Sequence, residues 1–114
     1  MPLSTTNLVK HYFNICNTAL GQHKRGPVYG RLLELVNRLA SGKTIAIEVV
    51  GAPRGAPRHF TVTYADGAFS PVRRGVHEPD VQRKLRREFL ENVVNNADAY
   101  IAHPERLDWG WLGG

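Results

Sequence analysis

The sequence has few of the features that would identify an enzyme, a metal protein or a secreted protein. Its single cysteine, Cys16, excludes an internal disulfide and fits a reducing compartment, so we expect a cytoplasmic protein. Its 5 histidines lack the spacing of metal ligands, and neither a Gly-rich phosphate loop nor a Gly-x-Ser-x-Gly turn occurs. The sequence therefore predicts no catalytic residue, no metal site and no cofactor.

Long apolar runs are also missing. No stretch approaches the roughly 20 apolar residues that a membrane-spanning helix needs. The N-terminus has no charged start followed by an apolar core, so we expect neither a membrane partner nor a secretory signal. The 114 residues, with an apolar share of 42% and a charged share of 22%, instead suit a single globular domain over residues 1–114.

Positive charge is in excess and is unevenly distributed. The net charge is +5 at pH 7. Residues 1–87 contain 14 Lys or Arg against 5 Asp or Glu, whereas residues 88–114 contain one Arg against five acids. A basic body favours an anionic partner, although a soluble surface with uneven charge has the same composition.

Apolar residues at helical spacing indicate two N-terminal helices. The first follows the capping hydroxyls of Ser4-Thr5-Thr6 and continues to about Gly21. The second opens at Pro27 and ends before Gly42, which is placed to form a left-handed cap.

Two alternating stretches and a short third one indicate strands. Residues 44–50 and 59–64 place apolar side chains at every second position, as in a sheet with one buried face. An Asp66-Gly67 turn then leads to a third strand at 68–72, which Pro71 confines to the edge of the sheet.

A long C-terminal helix is predicted over residues 81–101. The whole chain is therefore predicted to be α+β, with two N-terminal helices, a three-stranded antiparallel meander and a long C-terminal helix packed on one sheet face. The first turns of that last helix carry four cations, Arg83, Lys84, Arg86 and Arg87. Positive charge near a helix N-terminus is unfavourable, so either a bound phosphate backbone or pairing of Lys84 with Glu88 and Arg87 with Glu91 has to compensate.

The loop between the first two strands repeats a Gly-Ala-Pro-Arg unit, at 51–54 and again at 55–58. Proline stiffens such a loop, and glycine allows close approach of another chain. Arg54 and Arg58 are then held at a hairpin tip, where the guanidinium fork suits phosphate recognition. A solvated loop kept soluble by its arginines is the alternative interpretation.

These cations together predict a surface that contacts nucleic acid or another polyanion, in a binding module without enzymatic activity. They are Arg54, Arg58, Arg73, Arg74, Arg83, Lys84, Arg86 and Arg87. Contacts of this kind neutralise phosphates and read little base sequence.

The order helix, three strands, helix over residues 27–101 resembles that of double-stranded-RNA-binding domains. That family carries a Gly-Pro-x-His-like segment in its first hairpin loop and lysines at the start of its last helix. Gly55-Ala-Pro-Arg-His59 and Arg83-Lys84-Leu-Arg-Arg87 lie at the matching positions. The resemblance implies contact with RNA through that loop and that helix start.

Two further interpretations stay open. Residues 43–72 are also similar to the hairpin region of sterol-carrier-like domains, which implies a carrier or small enzyme with an apolar pocket between sheet and helices. Alternatively, the chain is an oligomeric adaptor that pairs through the outer face of its sheet or through Trp109 and Trp111 in its C-terminal tail.

Overall fold

Two helices come first, and their ends follow the predicted capping residues. The structure is a computed structural model, and it describes residues 4–22, 27–65, 67–103 and 106–107. Helix α1 spans Thr5–Gln22, and the Ser4 hydroxyl accepts a hydrogen bond from the Asn7 N–H at 3.2 Å, as an N-cap residue does. Helix α2 spans Pro27–Ala40 and is followed by Gly42 at φ +74°, the left-handed conformation that commonly ends helices. Both predicted helices are confirmed.

A mixed sheet of five strands forms the second layer. The strands are β1 (Thr44–Val50), β2 (His59–Ala65), β3 (Ala68–Phe69), β4 (Arg73–Arg74) and β5 (Val81–Arg86). Strand β1 pairs antiparallel with β2 on one side and parallel with β5 on the other. Strands β3 and β4 both pair antiparallel with the remaining side of β2, which gives the order β3-β2-β1-β5 with β4 also beside β2. The α+β class is confirmed, whereas the predicted three-stranded antiparallel meander is wrong.

The residues predicted to begin the last helix form β5 instead. The helical part follows as two short helices, α3 (Arg87–Asn95) and α4 (Ala97–Ala102). The prediction failed because Val81 and Leu85, four residues apart, share one face of a strand as well as one face of a helix. Strand β1 decides between the two, since its free edge pairs with all of β5. The parallel β5 also departs from the element order that resembles double-stranded-RNA-binding domains.

The residues directly before β5 belong to the sheet. The Asp80 carboxylate accepts a hydrogen bond from the Thr44 N–H at 2.8 Å. The Asp80 N–H donates to the Thr44 carbonyl oxygen at 2.7 Å. Asp80 therefore aligns the beginning of β5 with the beginning of β1.

The third predicted strand, 68–72, forms only at Ala68–Phe69, and a second short piece forms beyond Pro71 at Arg73–Arg74. Pairing with β2 stops at Phe69 and resumes at Arg73, because Pro71 has no N–H to donate. Both pieces lie at the edge of the sheet, as Pro71 predicts. Arg73 and Arg74, which follow the predicted strand, form the second piece.

The core lies between α1, α3 and one face of the sheet, which we call the inner face. Six central side chains of that face are each exposed by 1% or less: Ile45, Ile47, Val49, Phe60, Val62 and Tyr64. Helix α3 contributes Leu90 and Val93 to the same core cluster, and α1 contributes its whole apolar stripe. Alternation along the strands then places Glu48, His59 and Thr61 on the opposite side, the outer face.

The chain crosses the outer face between β4 and β5, and residues 75–80 form this crossover loop. The Thr61 hydroxyl donates to the Gly75 carbonyl oxygen at 2.7 Å and accepts from the His77 N–H at 3.1 Å. Thr61 is only 2% exposed as a result. The crossover loop covers the part of the outer face near the start of β1. It leaves the rows of Glu48 and Val50, near the end of β1, accessible to solvent.

Candidate nucleic-acid interface

Parallel pairing places two cations of β5 on the accessible part of the outer face. Lys84 pairs with Glu48 and Arg86 pairs with Val50, so these side chains share one side of the sheet. Both cations are exposed. They are two residues apart on one strand, which separates them by about 7 Å.

The two glycines of the hairpin loop, residues 51–58, share a left-handed backbone conformation. Gly51 has φ +87° and Gly55 has φ +82°, so the first residue of each Gly-Ala-Pro-Arg unit is left-handed. A hydrogen bond of 3.0 Å from the Ala56 N–H to the Pro53 carbonyl oxygen joins the two units. Arg54 and Arg58 at the ends of the units are exposed. The loop therefore presents two exposed arginines.

The hairpin loop and β5 meet at the end of β1. On one side the Val49 N–H donates to the Arg58 carbonyl oxygen at 2.7 Å, and on the other side Val50 pairs with Arg86. Adjacent strands lie about 4.8 Å apart, so the backbones of Arg58 and Arg86 are separated by about 10 Å across β1. Arg58 lies opposite the inward-facing Val49, so its side chain leaves the sheet on the other side from Arg86, and the two meet only around the end of the sheet. We call the resulting group of four cations the basic end: Arg54, Arg58, Lys84 and Arg86. None of the four makes an ion pair with any residue that the structure describes.

The two cations of β4 lie elsewhere. Strand β4 is three strand positions from β5, or about 14 Å. Nη2 of Arg73 lies 3.5 Å from Nδ1 of His77, and the Arg74 carbonyl oxygen accepts from Nε2 of His77 at 2.6 Å. Arg73 and Arg74 therefore flank the crossover loop and do not join the basic end.

Arg83 and Arg87 are engaged within the fold. Arg83 pairs with Ile47, so it alternates toward the inner face, and it is half-buried. Nε of Arg87 lies 3.0 Å from the Glu91 carboxylate, and the same guanidinium donates to the Thr5 hydroxyl, which ties α3 to α1. The predicted pairing of Arg87 with Glu91 is confirmed. The predicted pairing of Lys84 with Glu88 is wrong, because Lys84 lies in a strand.

A shallow depression on the outer face adjoins the basic end, and the sequence did not reveal it. In one cross-strand row Glu48 lies between His59 on β2 and Lys84 on β5. The next row holds Ala46, whose small side chain leaves room above it. We call this depression of about 100 Å³ the cup, and its walls and floor include Ala46, Glu48, His59, Val76, Gln82 and Lys84. An outward carboxylate on an apolar strand was the available signal, but its β5 neighbours were predicted to be helical.

Other parts of the structure offer little chemistry of their own. An open groove of about 640 Å³ runs between α1 and β3, lined by polar side chains that include Lys10, His11 and Asn14. Burial raises the pKa of the Cys16 thiol to about 12, so it is protonated near neutral pH. Within residues 4–22, 27–65, 67–103 and 106–107, no group of three or more His, Cys, Asp or Glu is arranged to hold a metal ion.

Two sequence-based expectations concern features that the geometry above does not include. Trp109 and Trp111, expected to dock on the core or on a partner, lie outside the described residues. In the part of the chain that the structure describes, no helix combines the length and apolarity needed to cross a membrane.

No protein-family model matches this chain, and neither a curated protein nor a solved structure is significantly similar to it. A function therefore has to be inferred from the geometry of the described residues.

Proposed function

We propose that this chain is a non-enzymatic module that binds nucleic acid through the basic end. The observation that carries the proposal is the parallel pairing of β5 with β1. It brings Lys84 and Arg86 to the end of the sheet that carries the hairpin loop of Arg54 and Arg58, and none of the four has an acidic partner among the described residues.

The spacing of these cations suits a chain of phosphates. Lys84 and Arg86 are about 7 Å apart along β5, and phosphates follow one another every 3.4 Å of axis along one DNA strand. These two cations are therefore spaced to contact phosphates about two positions apart on one strand. The arginines add bidentate hydrogen bonds to phosphate oxygens, which a lysine ammonium does not provide.

A salt series tests the proposal. Labelled single-stranded and duplex DNA and RNA are titrated with the protein at increasing salt. We expect the logarithm of the binding constant to fall linearly with the logarithm of salt concentration, with a slope of about −3 for four phosphate contacts on single strands. In the double variant Lys84→Gln/Arg86→Gln the slope should weaken to roughly half, because two contacts are lost.

A matched double variant keeps the overall charge the same. Arg31 and Arg38 are exposed on α2, and the segment after that helix joins the far end of the sheet, where the Gly42 N–H donates to the Tyr64 carbonyl oxygen at 2.8 Å. Arg31→Gln/Arg38→Gln should leave the slope unchanged. An absence of binding at low salt, a flat salt response or equal losses in both double variants would contradict the proposal. Equally tight binding of polyphosphate would assign the basic end to polyanions in general.

A further inference from the structure

Resting on that proposed function, we infer that the cup receives an unpaired nucleobase bearing an exocyclic amine, and that Glu48 accepts a hydrogen bond from this amine. The cup would then be a specificity site beside the phosphate contacts. Glu48 is an acid beside Lys84 of the basic end, where the other charged groups favour anions.

No side-chain contact within the described residues explains the position of Glu48. It is half-buried on the central strand β1, and its carboxylate makes no hydrogen bond or ion pair with another described residue. A carboxylate at this position repels phosphate, so a phosphate-binding surface is better without it. It does suit a ligand group that donates hydrogen bonds, and Glu or Asp accepting from the N4 amine of cytosine is an established pairing.

The surroundings of Glu48 suit a base better than an isolated amine. The side-chain amide of Gln82 offers both a donor and an acceptor. Val76, which is 51% exposed, supplies an apolar wall for a flat ring. Lys84 belongs to the cup and to the basic end, so a base in the cup continues directly into a phosphate contact.

A base reaches this cup only from a single strand. The edge that carries the amine is engaged in base pairing within a duplex, whereas unpaired bases can be splayed out and bound on that edge. The cup thus favours single-stranded over duplex nucleic acid and cytosine over uracil, which has a carbonyl oxygen where cytosine has its amine.

Oligomers of deoxycytidine and deoxyuridine of equal length provide the test, because they have the same backbone and bases of nearly the same shape. Above neutral pH and at low salt, we expect the wild-type protein to bind oligo(dC) about fivefold to tenfold more tightly than oligo(dU), as one good base contact allows. In Glu48→Gln that ratio should fall to about one, because the amide donates as readily as it accepts. Affinity for oligo(dU), which has no amine for Glu48, should rise as one negative charge is removed.

Glu78→Gln is the matched control. Glu78 is an exposed acid on the crossover loop, so its neutralisation should strengthen binding of both oligomers and preserve the preference for oligo(dC). Equal, salt-dependent binding of the two oligomers by the wild type overturns the inference and leaves the proposed function in place. A preference that survives in Glu48→Gln overturns it too. Failure to bind either oligomer at low salt overturns both proposals.

Discussion

Burial of the Cys16 thiol makes the stability of the folded protein depend on pH. It lies in the apolar stripe of α1 with 0% exposure, and burial raises the pKa of its thiol from 9.0 to about 12. The unfolded chain loses this proton near pH 9, whereas the folded protein keeps it until about pH 12. Between these values the unfolded state binds fewer protons, so the contribution of Cys16 to stability is complete below pH 9 and is lost as pH rises.

Replacement of Cys16 by valine should remove this pH dependence. We expect the free energy of unfolding of the wild type to fall by about 1.4 kcal/mol per pH unit more steeply than that of Cys16→Val above pH 9. Urea unfolding of both proteins at several pH values measures the difference. Burial also raises the pKa of Tyr64, but that effect is common to both proteins and cancels. Parallel curves for the two proteins would disprove the assignment to Cys16.

Strand β3 is protected at its outer edge by a side chain of α1. The Asn17 amide nitrogen donates to the Phe69 carbonyl oxygen at 3.0 Å, and the Phe69 N–H donates to the Asn17 amide oxygen at 2.7 Å. One side chain thus provides both hydrogen bonds that a neighbouring strand would provide. Unsatisfied groups on an edge strand invite pairing with another chain, so Asn17 protects this edge and fixes α1 against it.

Asn17→Ala should therefore be costly. We expect it to lower the free energy of unfolding by about 2 kcal/mol, since two backbone groups of a partly buried edge lose their partner. The comparison is Asn14→Ala, one turn earlier on the same helix and exposed, which should change stability by less than about 0.5 kcal/mol. Urea denaturation of both variants decides, and similar losses in the two would show that Asn17 does not support β3.

Elements specified by neighbouring residues were predictable, whereas those specified by distant pairing were not. The Ser4 cap acts within three residues, and the alternation in β1 is visible along the strand itself. Val81 and Leu85 satisfy both a helix and a strand, and only the free edge of β1, far away in sequence, selects the strand. The position of Asp80 is likewise set by a distant residue, because its carboxylate accepts a hydrogen bond from the Thr44 N–H.

In the candidate interface, too, some features were predictable from neighbouring residues and others depend on distant pairing. The sequence identified eight cations from charge and loop composition, but topology determines which of them share a surface. Lys84 and Arg86 join Arg54 and Arg58 only because β5 runs parallel to β1. The cup around Glu48 depends on the same pairing. The outward acid on β1 therefore did not indicate a site until its neighbours on β5 were known.

In the molecule as a whole, a short link joins two distant strands. Residues 75–80 carry the chain from β4 past β2 and β1 to β5, a path of about 16 Å when the return along the strands is included. Fully extended, the backbone from Arg74 to Val81 reaches roughly 24 Å. The link must also rise over Thr61, so it has little slack.

This short tether leads us to expect an order of folding. Strand β5 should pair after β1, β2 and β4 are aligned, because the tether delivers Val81 to the start of β1. We expect β5, with the helices behind it, to be the last part to assemble and the first to open. In native-state hydrogen exchange, the amides that join β5 to β1 should exchange through a smaller opening free energy than those that join β1 to β2, and the reverse ranking would refute this order. Lys84 and Arg86 lie on this late strand. Any partner that binds them would therefore also stabilise the pairing of β5 with β1.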